Sequence, residues 1–286
     1  MTYSYILEVK GTKVMNEYKV KIIIATHKKY QMPSENMYIP LHVGAEGKKD
    51  LNDKELNLGY IKDNTGDNIS NLNSCFCELT GLYWAWKNLD ADYIGLVHYR
   101  RYFSMEKKKN FDKVLSYNQL KPYLGKIKVF VPNKRKYYIE TLYSHYSHTH
   151  YAVQLDETRE IIRNKYPEYL TSYDKIINHR YGYMFNMMIM EKSLLDNYCT
   201  WLFDILFELK EKNVTSELDS FQARFYGRVS EILFNVWLDN RIINNKIKKK
   251  EIMEIPCIHM ENIDWSKKII AFLNAKFFGK KYKGSF

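Results

Sequence analysis

The segment Tyr93–Phe103, Y-I-G-L-V-H-Y-R-R-Y-F, most constrains the fold of this chain. It begins with apolar residues typical of a buried strand, in which Gly95 allows another backbone to approach closely. It then changes abruptly to a histidine, two arginines and aromatic rings. Ligands of open α/β sheets bind at the carboxyl ends of strands, and the donors of paired arginines match phosphate oxygens. His98, Arg100 and Arg101 are therefore candidate binding residues, although a solvated basic loop is the simpler interpretation of an arbitrary Arg-Arg pair.

Alternating strand and helix patterns predict a single α/β domain with a central, mostly parallel sheet flanked by helices. Turn-forming residues fill positions 31–74, which we expect to be a long loop region. No repeat or low-complexity linker divides the chain. The predicted strands are Val20–Ala25, Tyr93–Val97, Lys128–Val131 and Tyr183–Met190, and the predicted helices are Ser74–Asn88, Tyr151–Lys165, Leu194–Lys212 and Val229–Asn240.

The net charge of +11 is concentrated at the carboxyl end of the chain. From Arg241 to Phe286 there are 11 Lys and Arg residues against four Asp and Glu residues, which gives +7 and leaves +4 for the first 240 residues. Residues 246–286 are therefore predicted to form a basic tail that suits an anionic surface.

The tail also has an amphipathic pattern. On a helix, Ile269, Phe272, Leu273 and Phe277 fall near one face, and lysines surround them. A basic amphipathic helix of this kind lies in the plane of an anionic membrane, which would make the protein peripheral to that membrane. Packing of the same stripe on the protein's own core is the alternative.

Cysteine usage indicates a reducing compartment, and hydropathy predicts no membrane-spanning segment. None of the four cysteines has the spacing of a zinc site or a disulfide framework, which favours free thiols in the cytoplasm. No apolar stretch approaches the roughly 20 residues of a membrane span, and no signal peptide is seen. Met15 offers an alternative start just before the first strand, so we expect residues 1–18 to be an N-terminal extension.

Several long motifs resemble a family of bacterial capsular and exopolysaccharide glycosyltransferases with an H-Y-R-R-Y-F signature. They are D-N-T-G-D-N-I-S-N-L-N-S-C-F-C-E-L-T-G-L-Y-W-A-W-K-N from Asp63 to Asn88, the run that begins at Tyr93, Y-M-F-N-M-M-I-M (Tyr183–Met190) and F-Y-G-R-V-S-E-I-L-F-N-V-W-L (Phe225–Leu238). The resemblance covers residues 19–245, the predicted glycosyltransferase domain. It implies a GT-A-like fold and transfer of a sugar, galactofuranose in some members, from a UDP donor.

This resemblance also implies an acceptor and a location. The acceptor would be a lipid-linked oligosaccharide in capsule or exopolysaccharide assembly, and the enzyme would work in the cytoplasm at the inner face of the cell membrane. The basic, aromatic tail fits such a lipid carrier. A catalytically inactive sugar-nucleotide-binding domain is one alternative.

A nucleic-acid-binding protein is the other alternative, because the isoelectric point is about 9.2. However, the positive charge is concentrated in the tail and no nucleic-acid motif is present. We therefore expect no nucleic-acid partner.

Metal binding is predicted to be unnecessary. Asp90-Ala91-Asp92 spells the D-x-D metal motif of many GT-A enzymes, but it precedes its strand and so lies away from the carboxyl edge. The cationic cluster after the strand could neutralise the leaving diphosphate without an ion. The alternative is Mn²⁺ or Mg²⁺, for which His98 would be a ligand, but phosphate contact and a structural role both rank ahead of that.

The donor-binding candidates come from three segments. In a fold of the implied type, Thr26 and His27 at the end of the first strand would meet the uridine or its ribose. Asp67 and Asn68 could bind the nucleotide or cap the following helix. Glu78 could contact a sugar hydroxyl or remain a solvated helix residue.

Polar residues later in the chain are candidates for acceptor or diphosphate contacts. His148 and His150 belong to a histidine-rich run without zinc-ligand spacing. Asn186 lies among apolar residues and must be hydrogen-bonded if it is buried, as a structural link or as a ligand contact.

An inverting sugar transfer needs a carboxylate base near the acceptor hydroxyl. Glu231 opens a helix at a late position where GT-A enzymes often place their base, although it could simply complement the helix dipole. Asp219 and Asp156 are the other candidates.

Overall fold

The structure is a computed structural model that describes residues 17–212, 218–262, 264–282 and 284. The predicted extension at residues 1–18 therefore lies almost wholly outside the described residues. The strands in these ranges are β1 (Val20–Thr26), β2 (Tyr38–His42), β3 (Ile61–Lys62), β4 (Tyr93–His98), β5 (Arg101–Phe103), β6 (Val129–Pro132), β7 (Arg135–Lys136), β8 (Tyr181–Gly182), β9 (Met188–Glu191), β10 (Ile252–Ile255) and β11 (Cys257–His259).

Helices cover both long and short stretches of the same ranges, with short 3-10 turns between them. The α-helices are α1 (Asn73–Phe76), α2 (Leu79–Asn88), α3 (Tyr117–Leu120), α4 (Leu142–Thr149), α5 (Val153–Lys165), α6 (Leu170–Ile177), α7 (Lys192–Glu211), α8 (Phe225–Ile243) and α9 (Trp265–Phe278).

The central sheet has the strand order β10-β6-β9-β4-β1-β2-β3, and β5 and β11 extend it beyond β4. The strands β3, β2, β1 and β4 run parallel to one another, and β10 runs parallel to β6. The strand β9 is antiparallel to both of its neighbours. The predicted α/β fold, with a central, mostly parallel sheet flanked by helices, is confirmed.

The apolar alternation of β1 builds a core on each face of the sheet. Ile23 and Ala25 pack into the core that contains residues of α2, α7 and α8. Ile22 and Ile24 pack into a second core beneath the segment that carries α3 and beside β11. Each fully buried aliphatic side chain stabilises the fold by roughly 1.5–3 kcal/mol.

Gly95 in β4 is required by the close approach of β9. A Cβ atom at this position would lie 2.9 Å from the carbonyl oxygen of Met188 and 2.9 Å from Cγ1 of Ile189. The backbone oxygen cannot move away without breaking the β4–β9 ladder, so glycine keeps these strands paired.

The long loop predicted at residues 31–74 is wrong in part, because β2 and β3 lie within it. Pro40 made β2 difficult to identify, since proline cannot donate to a ladder. In the structure Pro40 lies opposite Ile24 of β1, and pairing with β3 begins only at Leu41, which leaves Pro40 without a strand partner on that side.

Two predicted elements are interrupted by residues with left-handed backbone. The predicted helix 74–88 is divided into α1 and α2 because Cys77 has a φ angle of 54°. The predicted strand 183–190 is reduced to β9, since Phe185 and Asn186 have φ angles of 77° and 51°. Both interruptions occur at the carboxyl edge of the sheet, where they orient functional side chains.

The C-terminal region belongs to the fold more closely than the predicted tail suggests. Residues 252–259 form β10 and β11 of the sheet, and α9 packs on α4. The ring of Phe272 lies 5.7 Å from that of His145, and Nζ of Lys276 lies 3.7 Å from Glu140. Lys283, one of the lysines expected to surround the apolar face, lies outside the described residues.

The face of α9 directed away from the protein is apolar. The side chains of Ile269, Ile270, Leu273 and Phe277 are 43–67% exposed. We call these four residues the α9 stripe. Phe272, predicted to share this face, is partly buried against α4 instead. None of the helices that the structure describes is long and apolar enough to cross a membrane.

Candidate active site

The carboxyl ends of β1 and β4 lie side by side and define the candidate site. Ala25 of β1 pairs with His98 of β4, so the residues that follow each strand emerge at one edge of the sheet. Thr26 is buried, and its hydroxyl donates a 2.7 Å hydrogen bond to the carbonyl oxygen of Lys28. This turn presents the exposed His27 at the edge.

His98 fixes the loop that precedes β9. Its Nε2 lies 2.5 Å from the carbonyl oxygen of Phe185, and because a carbonyl only accepts, Nε2 is the donor. Burial lowers the pKa of His98, an effect that the neighbouring charge of Glu78 opposes. His98 is therefore a neutral hydrogen-bond donor that orients the Phe185 turn.

The two adjacent arginines have different surroundings. Nη1 of Arg100 forms a 2.9 Å ion pair with Glu261. The guanidinium of Arg101 lies 4.4 Å from the centre of the Phe185 ring and, among the described residues, forms no ion pair with a carboxylate. Because its charge is not neutralised by a direct partner, Arg101 is the better anion ligand of the two.

Tyr99 forms an aromatic wall beside these cations. Nζ of Lys28 lies 5.0 Å from the centre of its ring, and the ring of His27 packs edge-on at 5.5 Å. Burial, followed by the charges of Lys28 and Arg224, lowers the pKa of His27. Tyr99 is itself buried, so it supports the exposed His27 and Lys28 at this edge.

Asn186 joins α2 to α8 through its buried amide. Its Nδ2 donates to Oε1 of Glu78 at 2.7 Å and to the carbonyl oxygen of Gly227 at 2.8 Å, and its Oδ1 accepts a 2.9 Å bond from Ser230. Of the two roles considered for Asn186, these contacts describe a structural link that holds Glu78 at this edge. We call the region bounded by the ends of β1 and β4, the Phe185–Asn186 turn and the start of α8 the cleft.

Glu231 is the carboxylate that α8 directs into the same cleft. Its Oε1 accepts a 2.9 Å hydrogen bond from the backbone N–H of Phe185. Burial, together with the nearby charge of Glu78, raises the pKa of Glu231 to about 7. A carboxyl group with a pKa near neutrality can take up and release a proton at physiological pH.

Arginines at the start of α8 complete the cationic side of the cleft. Nε of Arg224 donates to Sγ of Cys77 at 3.0 Å. The guanidinium of Arg228 lies 4.3 Å from the centre of the Phe221 ring and interacts electrostatically with Glu231. The cleft thus places several cations around one carboxylate of raised pKa.

The structure brings most of the predicted site residues to this edge. Eight of them lie in or directly support the cleft, and a ninth contacts it through Arg228. The eight are Thr26, His27, Glu78, His98, Arg100, Arg101, Asn186 and Glu231. The ninth is His150.

Asp67 and Asn68 are not brought to the cleft. Asp67 accepts a hydrogen bond from the hydroxyl of Tyr83, and its backbone N–H donates to Asn88 at the end of α2. The ten residues of α2 separate this position from Glu78 by roughly 15 Å. Asn68 bonds within its own loop to Ser70.

The other predicted carboxylates and His148 lie outside the cleft. Asp156 is exposed in α5 and accepts a hydrogen bond from Tyr143. Asp219 is exposed and caps the turn before α8 by accepting from the backbone of Gln222. Nδ1 of His148 lies 2.6 Å from Glu140, beside α9.

The sequence analysis missed Arg224, Arg228 and Gln222. A signal was present for Arg228, which precedes Glu231 by three residues and therefore shares its helix face. No local pattern identifies Gln222, because its partners lie more than 50 residues away in the sequence.

The D-x-D sequence lies at the opposite edge of the sheet. The backbone N–H of Lys19 donates to Asp92 at 2.7 Å, and its Nζ pairs with Asp90 at 2.8 Å. Within the described ranges, no group of three or more His, Cys, Asp or Glu side chains is arranged to hold a metal ion.

An open groove of about 600 Å³ lies far from this edge, at the other end of α8. Its lining includes Trp201 and Arg241. Arg241 follows Glu231 by ten residues, which corresponds to roughly 15 Å along the helix axis. We place the site at the sheet edge because the convergent cations and the carboxylate of raised pKa are there.

Comparisons with known proteins give a structural relative of this chain. The chain is similar to a structure described as the bifunctional glycosyltransferase WbbM in its apo form, with 28% sequence identity and a TM-score of 0.76. The match covers 85% of this chain and 46% of WbbM, so the chain spans about half of that enzyme's length. A search of curated proteins found no match.

A family model also covers most of the predicted glycosyltransferase domain. It matches residues 21–244 and is described as a domain of unknown function, DUF4422. The matched range extends from β1 through α8 and so includes the whole candidate site apart from its C-terminal contacts. The chain belongs to this DUF4422 family.

Proposed function

We propose that this protein is an inverting glycosyltransferase that moves a sugar from a UDP-sugar to a lipid-linked oligosaccharide. The observation that carries the proposal is the combination, in one cleft, of Arg101 and Arg228, which form no ion pair with a carboxylate among the described residues, with Glu231, whose pKa is raised to about 7. The 28% identity to a bifunctional glycosyltransferase supports the reaction class.

In this proposal the cations bind the donor diphosphate. Arg101 and Arg228 form no ion pair with a carboxylate among the described residues. Lys28 and Arg100 add two further cations, which both lie against the ring of Tyr99. Fixed positive charges stabilise the negative charge that develops on the diphosphate as the bond to the sugar breaks. The proposal requires no metal cofactor, and Mn²⁺ or Mg²⁺ is the alternative that a chelator tests.

Glu231 acts as the base. The acceptor hydroxyl oxygen attacks the anomeric carbon and forms the new glycosidic bond, while the hydroxyl proton passes to the Glu231 carboxylate. The bond between the anomeric carbon and the diphosphate oxygen breaks, and its electron pair leaves with UDP. Glu231 then returns the proton to water.

The neighbouring residues orient the donor. His27 and Thr26 lie at the end of β1, where the uridine or its ribose would bind beside His27. Glu78, which Asn186 holds toward the cleft, would accept a hydrogen bond from a hydroxyl of the transferred sugar. Galactofuranose is the sugar that we propose, in line with the family resemblance.

We further propose that α9 docks on the anionic inner face of the cell membrane, where a lipid-linked acceptor for capsule or exopolysaccharide assembly would lie. The α9 stripe is exposed while the opposite face of the helix is fixed to α4. Basic residues adjoin the stripe, and each lysine near an anionic surface contributes about 1 kcal/mol.

A panel of UDP-sugars tests the donor assignment. Each is screened for thermal stabilisation of the protein and for acceptor-dependent release of UDP, with GDP-mannose as the matched non-uridine control. Stabilisation by UDP and by UDP-galactofuranose, but not by the control, is the expected result. Stabilisation by none of the uridine nucleotides contradicts the proposal.

A further inference from the structure

We propose that Gln222 and His150 are positioning residues that hold Arg228 in the cleft, and that the C-terminal segment at Lys281 and Tyr282 is part of this support. The inference rests on the proposed function, in which Arg228 binds the donor diphosphate. It adds a chain of buried contacts that connects the catalytic cleft to the segment following α9.

The contacts run continuously from the tail to the cleft. The Nε2 of Gln222 donates to the carbonyl oxygen of Tyr282 at 2.7 Å and to that of Thr149 at 3.2 Å. The Oε1 of Gln222 lies 2.7 Å from Nδ1 of His150, and Nε2 of His150 meets Nη1 of Arg228. Gln222 and His150 are both buried.

The donor and acceptor properties of these groups permit only one direction of donation along this series of hydrogen bonds. A guanidinium only donates, so Nε2 of His150 must accept from Arg228 and Nδ1 must carry the proton. That proton is donated to Oε1 of Gln222, which leaves the Gln222 amide group to donate to the two carbonyl oxygens. Burial, followed by the charge of Arg228, lowers the pKa of His150 to about 3, so the ring remains neutral.

A neutral partner is what an anion-binding arginine requires. A carboxylate would orient Arg228 but would also neutralise its charge, as Glu261 does for Arg100. The His150 ring and the face of Phe221 orient the guanidinium without doing so. No direct ion pair then occupies the guanidinium of Arg228, whose charge is available to the diphosphate.

Contacts of the C-terminal segment fix the far end of this series of hydrogen bonds. The backbone N–H of Tyr282 donates to the carbonyl oxygen of Thr149 at 3.3 Å, and Nζ of Lys281 donates to that of Ser147. These residues follow α9 directly. The segment that carries the proposed membrane helix therefore also supports the cleft arginine.

Kinetics of Gln222→Ala, Arg228→Ala and the double variant test the positioning role. We expect kcat/KM for the UDP-sugar to fall about 10- to 100-fold in each single variant, mainly through KM. The double variant should be no worse than Arg228→Ala alone, because Gln222 acts through Arg228. Additive losses would overturn the proposal. Asn197→Ala, an exposed amide on α7, is the matched control.

Two further variants separate positioning from folding. His150→Gln supplies one acceptor and one donor and should recover most of the activity that His150→Ala loses. The melting temperature of each variant shows whether it is folded. Truncation after Gly279 keeps α9 and removes the Tyr282 carbonyl, and it should reproduce the Gln222→Ala rise in KM. Normal KM in the truncated protein would overturn the role of the tail.

A spectroscopic measurement distinguishes this inference from the proposed function. In ¹⁵N NMR spectra of the wild-type protein, His150 should be the neutral tautomer protonated at Nδ1, and the Gln222→Ala/Arg228→Ala double variant, which removes both partners of the ring, should abolish that preference. A His150 protonated at Nε2 overturns the inference even if transfer is observed. Absence of transfer by a wild-type protein with the expected tautomer overturns only the proposed function.

Discussion

Glu231 and Glu78 are held by two consecutive residues of one turn. Glu231 accepts a hydrogen bond from the backbone N–H of Phe185, and Glu78 accepts one from the side chain of Asn186. Both residues of this turn have positive φ angles. The left-handed turn thus brings together the carboxylates of Glu231 in α8 and of Glu78, just before α2, and their repulsion adds to burial in raising the pKa of Glu231 to about 7.

The first prediction concerns pH. A base must be ionised, so kcat/KM should rise with pH and level off above a pKa of about 7. Glu78→Gln removes a neighbouring negative charge, which should lower the pKa of Glu231 and move the rising limb to lower pH. The measured quantity is the pH at the midpoint of the rising limb, and not the maximum value of kcat/KM. A limb that stays in place in Glu78→Gln argues against coupling of the two carboxylates.

The second prediction separates the adjacent arginines. Arg101→Ala should reduce kcat/KM by a factor that corresponds to about 1.5–3 kcal/mol, the value of a charge-assisted hydrogen bond. Arg100→Ala should have a smaller effect, since Glu261 pairs with its charge. Steady-state kinetics with the UDP-sugar make the comparison, with the exposed Arg163→Ala on α5 as control. A larger loss in Arg100→Ala would reverse the assignment.

These two predictions show what could and could not be obtained from the sequence. The strands β1, β4 and β6 and the helices α5 and α7 follow from apolar periodicity, and His98-Tyr99-Arg100-Arg101 follows from its place after a buried strand. Hydrophobic periodicity carries no information about a single residue with a left-handed backbone, such as Cys77 or Phe185. The sequence therefore predicts an uninterrupted helix and an uninterrupted strand at these positions.

The rest of the candidate site depends on contacts between distant parts of the chain. Arg228 is oriented by His150, 78 residues away, and Gln222 by Tyr282, 60 residues away. The sequence predicts that Asp67 binds the nucleotide or caps the following helix, but it lies beside Asn88 at the far end of that helix. Closeness in the sequence does not predict how far Asp67 lies from the start of that helix in the structure.

The third prediction concerns metal ions. Since cationic side chains are proposed to neutralise the diphosphate, transfer should continue in the presence of EDTA at nearly its original rate. The assay compares EDTA-treated enzyme with enzyme supplied with Mn²⁺ or Mg²⁺. Complete loss of activity that either ion restores would show that a metal performs this role.

The fourth prediction concerns the α9 stripe. Replacing Ile269, Leu273 and Phe277 together by Ser should weaken binding to phosphatidylglycerol vesicles at least 10-fold, because roughly 1 kcal/mol or more of apolar contact is lost per side chain. These residues are exposed, so the melting temperature should be preserved. The control is the exposed Leu51→Ser.

Substitution tests the stripe more cleanly than deletion of residues 265–286. Deletion would also remove Phe272 and Lys276, which contact residues of α4 and the segment before it. Vesicle sedimentation at low and high salt gives the measurement. Unchanged binding in the triple Ser variant would assign the stripe to another partner.

Transfer by Glu231→Gln decides whether Glu231 is the base. Glutamine can still accept the hydrogen bond from Phe185 but cannot take the acceptor proton. With the UDP-sugar and a lipid-linked acceptor, the account predicts that turnover falls by roughly 10²–10⁴-fold, while the dissociation constant for UDP stays unchanged. Turnover close to that of the wild-type enzyme would contradict the account and return Asp219 and Asp156 to consideration as the base.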